Sequence, residues 1–149
     1  FGVELPVLQA EFPGFESQDA TNEIGLTAGF SSMSADSLGY DFNIGYLTLG
    51  DDTEHLRLEG GINYAFGDNF YLFGGLNYGD FTSIATSDPS AGAQLGAGYR
   101  YKGFDLRLSY VSYSSSLDVV TVDVDTQTFS ERRDSLYLSG ISIGAGYVF

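Results

Sequence analysis

The chain has no cysteine and no tryptophan, only three prolines, one histidine and six basic residues in 149 positions. Each shortage closes a possibility. Without cysteine there is neither a disulfide framework nor a thiolate metal site. Six Lys plus Arg against twenty Asp plus Glu leave a net charge of −14. A surface of that sign repels phosphate backbones, so a nucleic-acid partner is excluded. No apolar run approaches the roughly 20 residues of a membrane-spanning helix. Nor does the start at Phe1 carry the basic-then-apolar pattern of a secretion signal, so an exported protein is expected here in its mature form.

Glycine and aromatic rings are plentiful: twenty glycines, twelve phenylalanines and eleven tyrosines. They fall into a period-two pattern, the signature of strands with two unlike faces. Between 55 and 66, Leu56, Leu58, Gly60, Ile62, Tyr64 and Phe66 alternate with His55, Arg57, Glu59, Gly61, Asn63 and Ala65. After the turn residues Gly67-Asp68-Asn69, the face of Phe70, Leu72, Gly74, Leu76 and Tyr78 follows. A second hairpin turns at Lys102-Gly103, with Ala93 to Tyr101 before it and Phe104 to Tyr110 after it. The pattern predicts eight strands, at about 1–8, 23–33, 38–49, 55–66, 69–79, 92–101, 104–115 and 135–149. Pro6 weakens the first of them. The valine-rich stretch 119–124 has strand propensity and can lengthen the last hairpin.

The connections alternate too. Those at 34–37, 67–68 and 102–103 are short, whereas 9–22, 50–54, 80–91 and 116–134 are longer or more polar. Short turns on one rim and long loops on the other are the pattern of an up-and-down membrane barrel. The fold expected is therefore all-β: one domain spanning 1–149, an eight-stranded antiparallel up-and-down transmembrane β-barrel. A soluble aromatic-rich β-sandwich is the alternative, since it too has short alternating strands. The non-aromatic face weighs against it, being mostly Gly, Ser and Asn with few charges.

On the barrel reading, Tyr40, Phe66, Phe70, Tyr99, Tyr101 and Phe104, with Tyr147 and Phe149, form an aromatic girdle at the short-turn rim. An eight-stranded barrel is just wide enough for side chains to fill it. Glu4, Asp41, Arg57, Glu59 and Arg107 are the large polar residues on its inward face, with Arg100 and Asp105 nearer the rim. Burial obliges them to pair, and Arg57 and Arg107 are expected to face Glu59, Glu4 or Asp41. Such a network holds the lumen shut; the alternative is a gate in an ion path. His55 reads as an exposed residue at a loop edge, without a triad around it.

Ser142, Gly144, Tyr147 and Phe149 end the chain in the order polar-x-Gly-x-x-aromatic-x-aromatic. With the eight alternating strands, this resembles the small outer-membrane barrels of the OmpA transmembrane-domain and OmpX/Ail group. The resemblance implies insertion by the barrel-assembly machinery, which would recognise those four residues. It also implies a location in a bacterial, Gram-negative outer membrane, among outer-membrane lipid and lipopolysaccharide, without the periplasmic peptidoglycan-binding domain of OmpA. The role expected is structural or surface-interacting: membrane stabilisation, adhesion, or presentation of acidic loops to an extracellular partner. The protein is expected to be a monomer with no cofactor, no metal and no enzymatic activity. A narrow, porin-like channel for small or apolar solutes and a lipid-modifying enzyme are the alternatives. Acidic loops can also bridge weakly through Ca²⁺ or Mg²⁺ to lipopolysaccharide, or Arg132-Arg133 can meet lipid phosphate directly.

Overall fold

A computed structural model describes the backbone of residues 2–11, 18–19, 24–49, 53–81, 88–123 and 128–149, and side chains at 25–48, 54–80, 88–116, 129, 131, 133–135 and 137–149. Its strands are β1 (Gly2–Glu11), β2 (Gln18–Asp19), β3 (Ile24–Ser32), β4 (Leu38–Leu49), β5 (Thr53–Phe66), β6 (Phe70–Phe81), β7 (Ser90–Tyr101), β8 (Phe104–Asp123) and β9 (Thr128–Tyr147). The two-residue β2 pairs back onto the end of β1. The other eight form an antiparallel meander, each pairing with the next. β1 also pairs with β9, from Gly2–Gly146 to Glu11–Tyr137. That ladder closes the sheet on itself, which rules out the two separate sheets of a sandwich.

The registers fix the barrel's shape. Partners lead from Gly146 to Gly2, Thr27, Gly45, Arg57, Gly79 and Ser90. One step beyond the Ala91–Ser114 pair they cross at Ser115 and return to β9 at Leu136. The path has slipped from 146 to 136, a shear of ten. Eight strands with that shear tilt by about 40° to the barrel axis.

Burial is inverted relative to a water-soluble protein. Leu76 is 73% exposed and Leu95 70%, while Arg57 is 1% exposed. Leu26, Ile44, Leu58, Ile62, Leu108 and Ile143 also stand on the outer face. In β5 that face runs apolar from Leu56 to Phe66 apart from Gly60. At ~3.3 Å per residue and the tilt above, this spans about 25 Å, the height of a lipid-facing band. With the closed ladder, that outer face defines a transmembrane type of β-barrel.

The turns explain the tightness of one rim. Lys102 and Gly103 both have positive φ, 49° and 88°. This is the two-residue turn whose twist matches that of the strands it joins. Gly67 takes φ 63° in the preceding hairpin, and its N–H donates to Asp36 Oδ1 at 2.9 Å. Several strands run past the ends expected: β1 reaches Glu11, β5 starts at Thr53, β6 reaches Phe81 and β7 starts at Ser90. The β4–β5 connection is short, running from Leu49 to Thr53. Much of 116–134 is not loop at all, because β8 and β9 pair out to Asp123–Thr128. β-branched Val119, Val120, Thr121 and Val122 favour that extension.

Candidate functional site

The lumen holds the polar chemistry. Within the upper half, towards the long-loop rim, Arg57 Nε lies 2.6 Å from Glu59 Oε1. Residues two apart in a strand share a face, so β5 alone creates this pair. Arg57 Nη1 also donates to Tyr113 Oη of β8 at 3.0 Å. Glu59 Oε2 is 3.5 Å from Asn43 Nδ2 of β4.

A second cluster lies lower, towards the short turns. Arg107 Nε donates to Asp105 Oδ2 at 3.0 Å, and its Nη2 reaches Asp41 Oδ1 at 3.4 Å. Arg100 Nη2 is 3.3 Å from Asp105 Oδ2 and 3.2 Å from Ser31 Oγ. Tyr71 Oη donates to Asp105 Oδ1 at 2.7 Å, and Asn63 Nδ2 to Asp41 Oδ2 at 2.9 Å. Both guanidinium groups lie over the Tyr71 ring, 5.5 and 5.6 Å from its centre. Among the described residues of the lumen, three guanidinium groups thus meet three carboxylates. The side chain of Glu4 lies outside the described residues.

The lumen is more aromatic than its glycine-rich sequence suggests. Tyr71, Phe73 and Tyr113 point inward. Each sits opposite a glycine on β7, in the pairs Tyr71–Gly98, Phe73–Gly96 and Tyr113–Gly92. A Cβ at Gly98 would run into the Tyr71 ring, and one at Gly96 would sit 2.6 Å from Phe73 Cζ. Glycine here is the space that a neighbouring ring occupies. The run Phe70-Tyr71-Leu72-Phe73 is apolar on both faces and hides which rings enter. Their parity with Asn77 and Gly79 is the signal that gives it away.

His55 requires a correction. It is 1% exposed, not a loop-edge residue. Its Nε2 is 3.2 Å from Ser90 Oγ, which itself donates to the Gly79 carbonyl at 3.2 Å. The imidazole meets the Tyr113 ring edge-on at 5.3 Å. β5 starts at Thr53, so His55 shares the inward parity of Arg57. Among the described residues no group of three or more His, Asp or Glu could hold a metal ion.

On the outer face at the short-turn rim, the rings touch in series. Phe70 packs on Tyr99 at 4.8 Å, Tyr99 on Tyr101 at 6.5 Å, and Phe104 on Tyr147 at 5.4 Å. Tyr147 continues to Phe149 at 5.1 Å. Tyr40 meets Phe30 at 6.0 Å and Phe66 meets Tyr64 at 5.0 Å. Phe30 and Tyr64 therefore extend the ring of aromatics beyond the residues expected. On β9, Ser142 and Gly144 are buried while Tyr147 faces out, and Phe149 just beyond the strand is exposed.

No protein-family model matches the chain, and no curated protein matches it. Among solved structures it is similar to a de novo designed transmembrane β-barrel, with 13% identity over 96% of this chain and 94% of the other, at a TM-score of 0.46. It is also similar to in-vitro folded OmpT, an outer membrane protein of Vibrio cholerae, with 12% identity and a TM-score of 0.33. That match covers 97% of this chain and 48% of OmpT, so the chain spans about half of OmpT's length.

Proposed function

We propose that the protein is a bacterial outer-membrane barrel with a structural or surface-interacting role, and that its lumen acts as a packed polar core. One observation carries this reading: the side chains are arranged inside-out, with leucines on the wall and Arg57 inside. Apolar walls suit lipid, and balanced ion pairs suit an interior from which bulk water is excluded. The Arg57–Glu59–Tyr113 cluster spans the lumen and supports a closed barrel.

The rim opposite the aromatic girdle then faces outward, and the acidic connections of the sequence fall there. They are the part available to a partner, whether extracellular protein or lipopolysaccharide bridged by divalent cations. Tyr147 and Phe149 would serve both as rings at the lipid interface and, with Ser142 and Gly144, as the signal read by the assembly machinery. The protein acts as a monomer, without cofactor and without catalysis. His55 and Ser90 are a base beside a hydroxyl, but both are buried inside the barrel.

Heat-modifiable migration in detergent gels tests the barrel, and planar-bilayer conductance tests the closed lumen. A folded, heat-modifiable protein without conductance supports the reading. Steady single-channel conductance would favour the narrow conduit instead, a reading that a partly hollow lower lumen also supports. A protein that stays monomeric in aqueous buffer without detergent would end the membrane assignment.

A further inference from the structure

Met33 is the one methionine of the sequence, and there is no cysteine, so its thioether carries the sequence's one sulfur. It stands one residue beyond β3, which ends at Ser32. Odd positions of β3 face inward, and Met33 continues that parity after Gly25, Thr27, Gly29 and Ser31. It is the large apolar member of that row. Half-buried, it packs against the cluster that Ala65, Tyr71 and Phe73 form on β5 and β6. Thioether sulfur makes favourable contacts with aromatic rings, and methionine fills irregular gaps.

The backbone around Met33 is drawn to the same side. Asn63 Nδ2 of β5 donates to the Ser32 carbonyl at 3.1 Å, although β4 lies between the two strands in the sheet. Ala35 bridges to Ala65, and the Gly67 N–H donates to Asp36 Oδ1 at 2.9 Å. The Ala65 N–H donates to the Ser37 carbonyl at 3.2 Å. A φ of 51° at Asp36 turns the chain back into β4. Residues 33–37 are thus a strap at the short-turn rim, tied to the β5–β6 hairpin by polar bonds and pinned from the lumen side by Met33.

We propose that Met33 is an oxidation site, and that hydrogen peroxide reaching the short-turn rim converts it to the sulfoxide and frees the strap. The inference goes beyond the structural role above and stands on the barrel fold alone. The thioether sulfur attacks one peroxide oxygen and the O–O bond breaks. Sulfur is oxidised by two electrons and gains an S–O bond, while the other oxygen is reduced and leaves as water. The product is polar, and its oxygen needs a donor or water. The apolar surfaces of Ala65 and Phe73 supply neither, and the Tyr71 hydroxyl already donates to Asp105. The sulfoxide therefore turns out to solvent, and the strap loses its pin.

The test is mild hydrogen peroxide treatment of the folded, detergent-purified full chain, followed by intact-mass, peptide-mass and amide-exchange measurements. Heat-modifiable migration on the same samples reports the fold. One added oxygen at Met33 is expected while the barrel stays folded. Amide exchange at Ala65 and Gly67, the donors that hold the strap, should then quicken by about tenfold, the factor given by losing a sulfur–aromatic contact at the top of its range. Exchange at Tyr110, in the middle of β8, should not change. Met33→Leu keeps an apolar pin that takes no oxygen, so its exchange should be slow before and after peroxide. Met33→Gln is polar from the start and should exchange fast at both amides without peroxide; if it does not fold, the oxidised parent and Met33→Leu decide the matter. Sulfoxide at Met33 with unchanged exchange at Ala65 and Gly67 overturns the proposal. So does equal quickening in Met33→Leu, which would place the damage elsewhere, or a Met33 that peroxide reaches only after unfolding.

Discussion

Arg57 of β5 and Tyr113 of β8 meet across the lumen, with guanidinium Nη1 donating to the phenol oxygen at 3.0 Å. Both are 1% exposed, and Glu59 neutralises the guanidinium from the same strand. The contact ties strands that are not neighbours in the ladder, so it braces the barrel against flattening. Its energetic weight comes from the cost of leaving either charge buried alone.

Arg57→Met should therefore lower stability by about 3–5 kcal/mol, because Glu59 keeps a buried charge without its counter-ion. The double variant Arg57→Met with Glu59→Met should recover much of that loss. Urea unfolding midpoints in lipid vesicles measure both. A single variant within about 0.5 kcal/mol of the parent, the range of an ordinary surface change, would show that the pair is solvated.

Tyr113 separates bracing from sealing. Tyr113→Phe removes only the hydrogen bond to a charged group and should cost about 1.5–3 kcal/mol, with the barrel still closed to ions. Tyr113→Ala also removes the ring and should cost about 3–5 kcal/mol. Because His55 loses its edge-on neighbour as well, the upper lumen opens and bilayer conductance should rise above that of Tyr113→Phe. Equal conductance in the two variants would place the seal elsewhere.

Glycines on the two faces should respond in opposite directions. Gly98→Val drives a side chain into the Tyr71 ring and should destabilise by about 1–3 kcal/mol, the cost of overpacking. Gly60 lies on the outer face with nothing within 4 Å of an added Cβ. Gly60→Ala should stabilise by about 0.5–1 kcal/mol, since a strand interior favours alanine over glycine. Matched unfolding curves decide the point, and a loss at Gly60 as large as at Gly98 would mean that the assigned parity is wrong.

Much of this architecture is legible in the sequence because period two needs no knowledge of neighbours. Leu56 to Phe66 and Phe104 to Tyr110 give their faces directly, and the spacing of Arg57 and Glu59 puts them on one side. Whatever depends on register stays hidden. Arg57 and Arg107 are expected to face Glu59, Glu4 or Asp41, but which carboxylate each guanidinium takes, Arg107 reaching Asp41, follows from where β8 and β4 fall around a barrel with a shear of ten. Likewise Tyr71 needs Gly98 opposite it, a match that appears only once β6 and β7 are aligned. His55 is obscured for a local reason: the alternating pattern starts at 55 and leaves it at an edge, whereas two further residues of β5 carry it inside.

The membrane assignment predicts a depth dependence on the outer face. Leu95 stands near the middle of the apolar band and is 70% exposed, while Tyr101 is parted from the β8 start only by the two-residue turn, at the girdle's edge. At mid-bilayer an arginine cannot bring its guanidinium to water without distorting the lipid, and the cost on a barrel wall is about 2–4 kcal/mol. Near the interface it can snorkel, and the cost falls to about 0–1 kcal/mol. Leu95→Arg should therefore shift vesicle-bound unfolding far more than Tyr101→Arg. In a water-exposed barrel neither arginine would pay a transfer cost, and Leu95→Arg would tend to improve solubility instead. Comparable small shifts in both variants would thus contradict lipid burial of this wall, while the graded response would fix the band's centre at the level of Leu95.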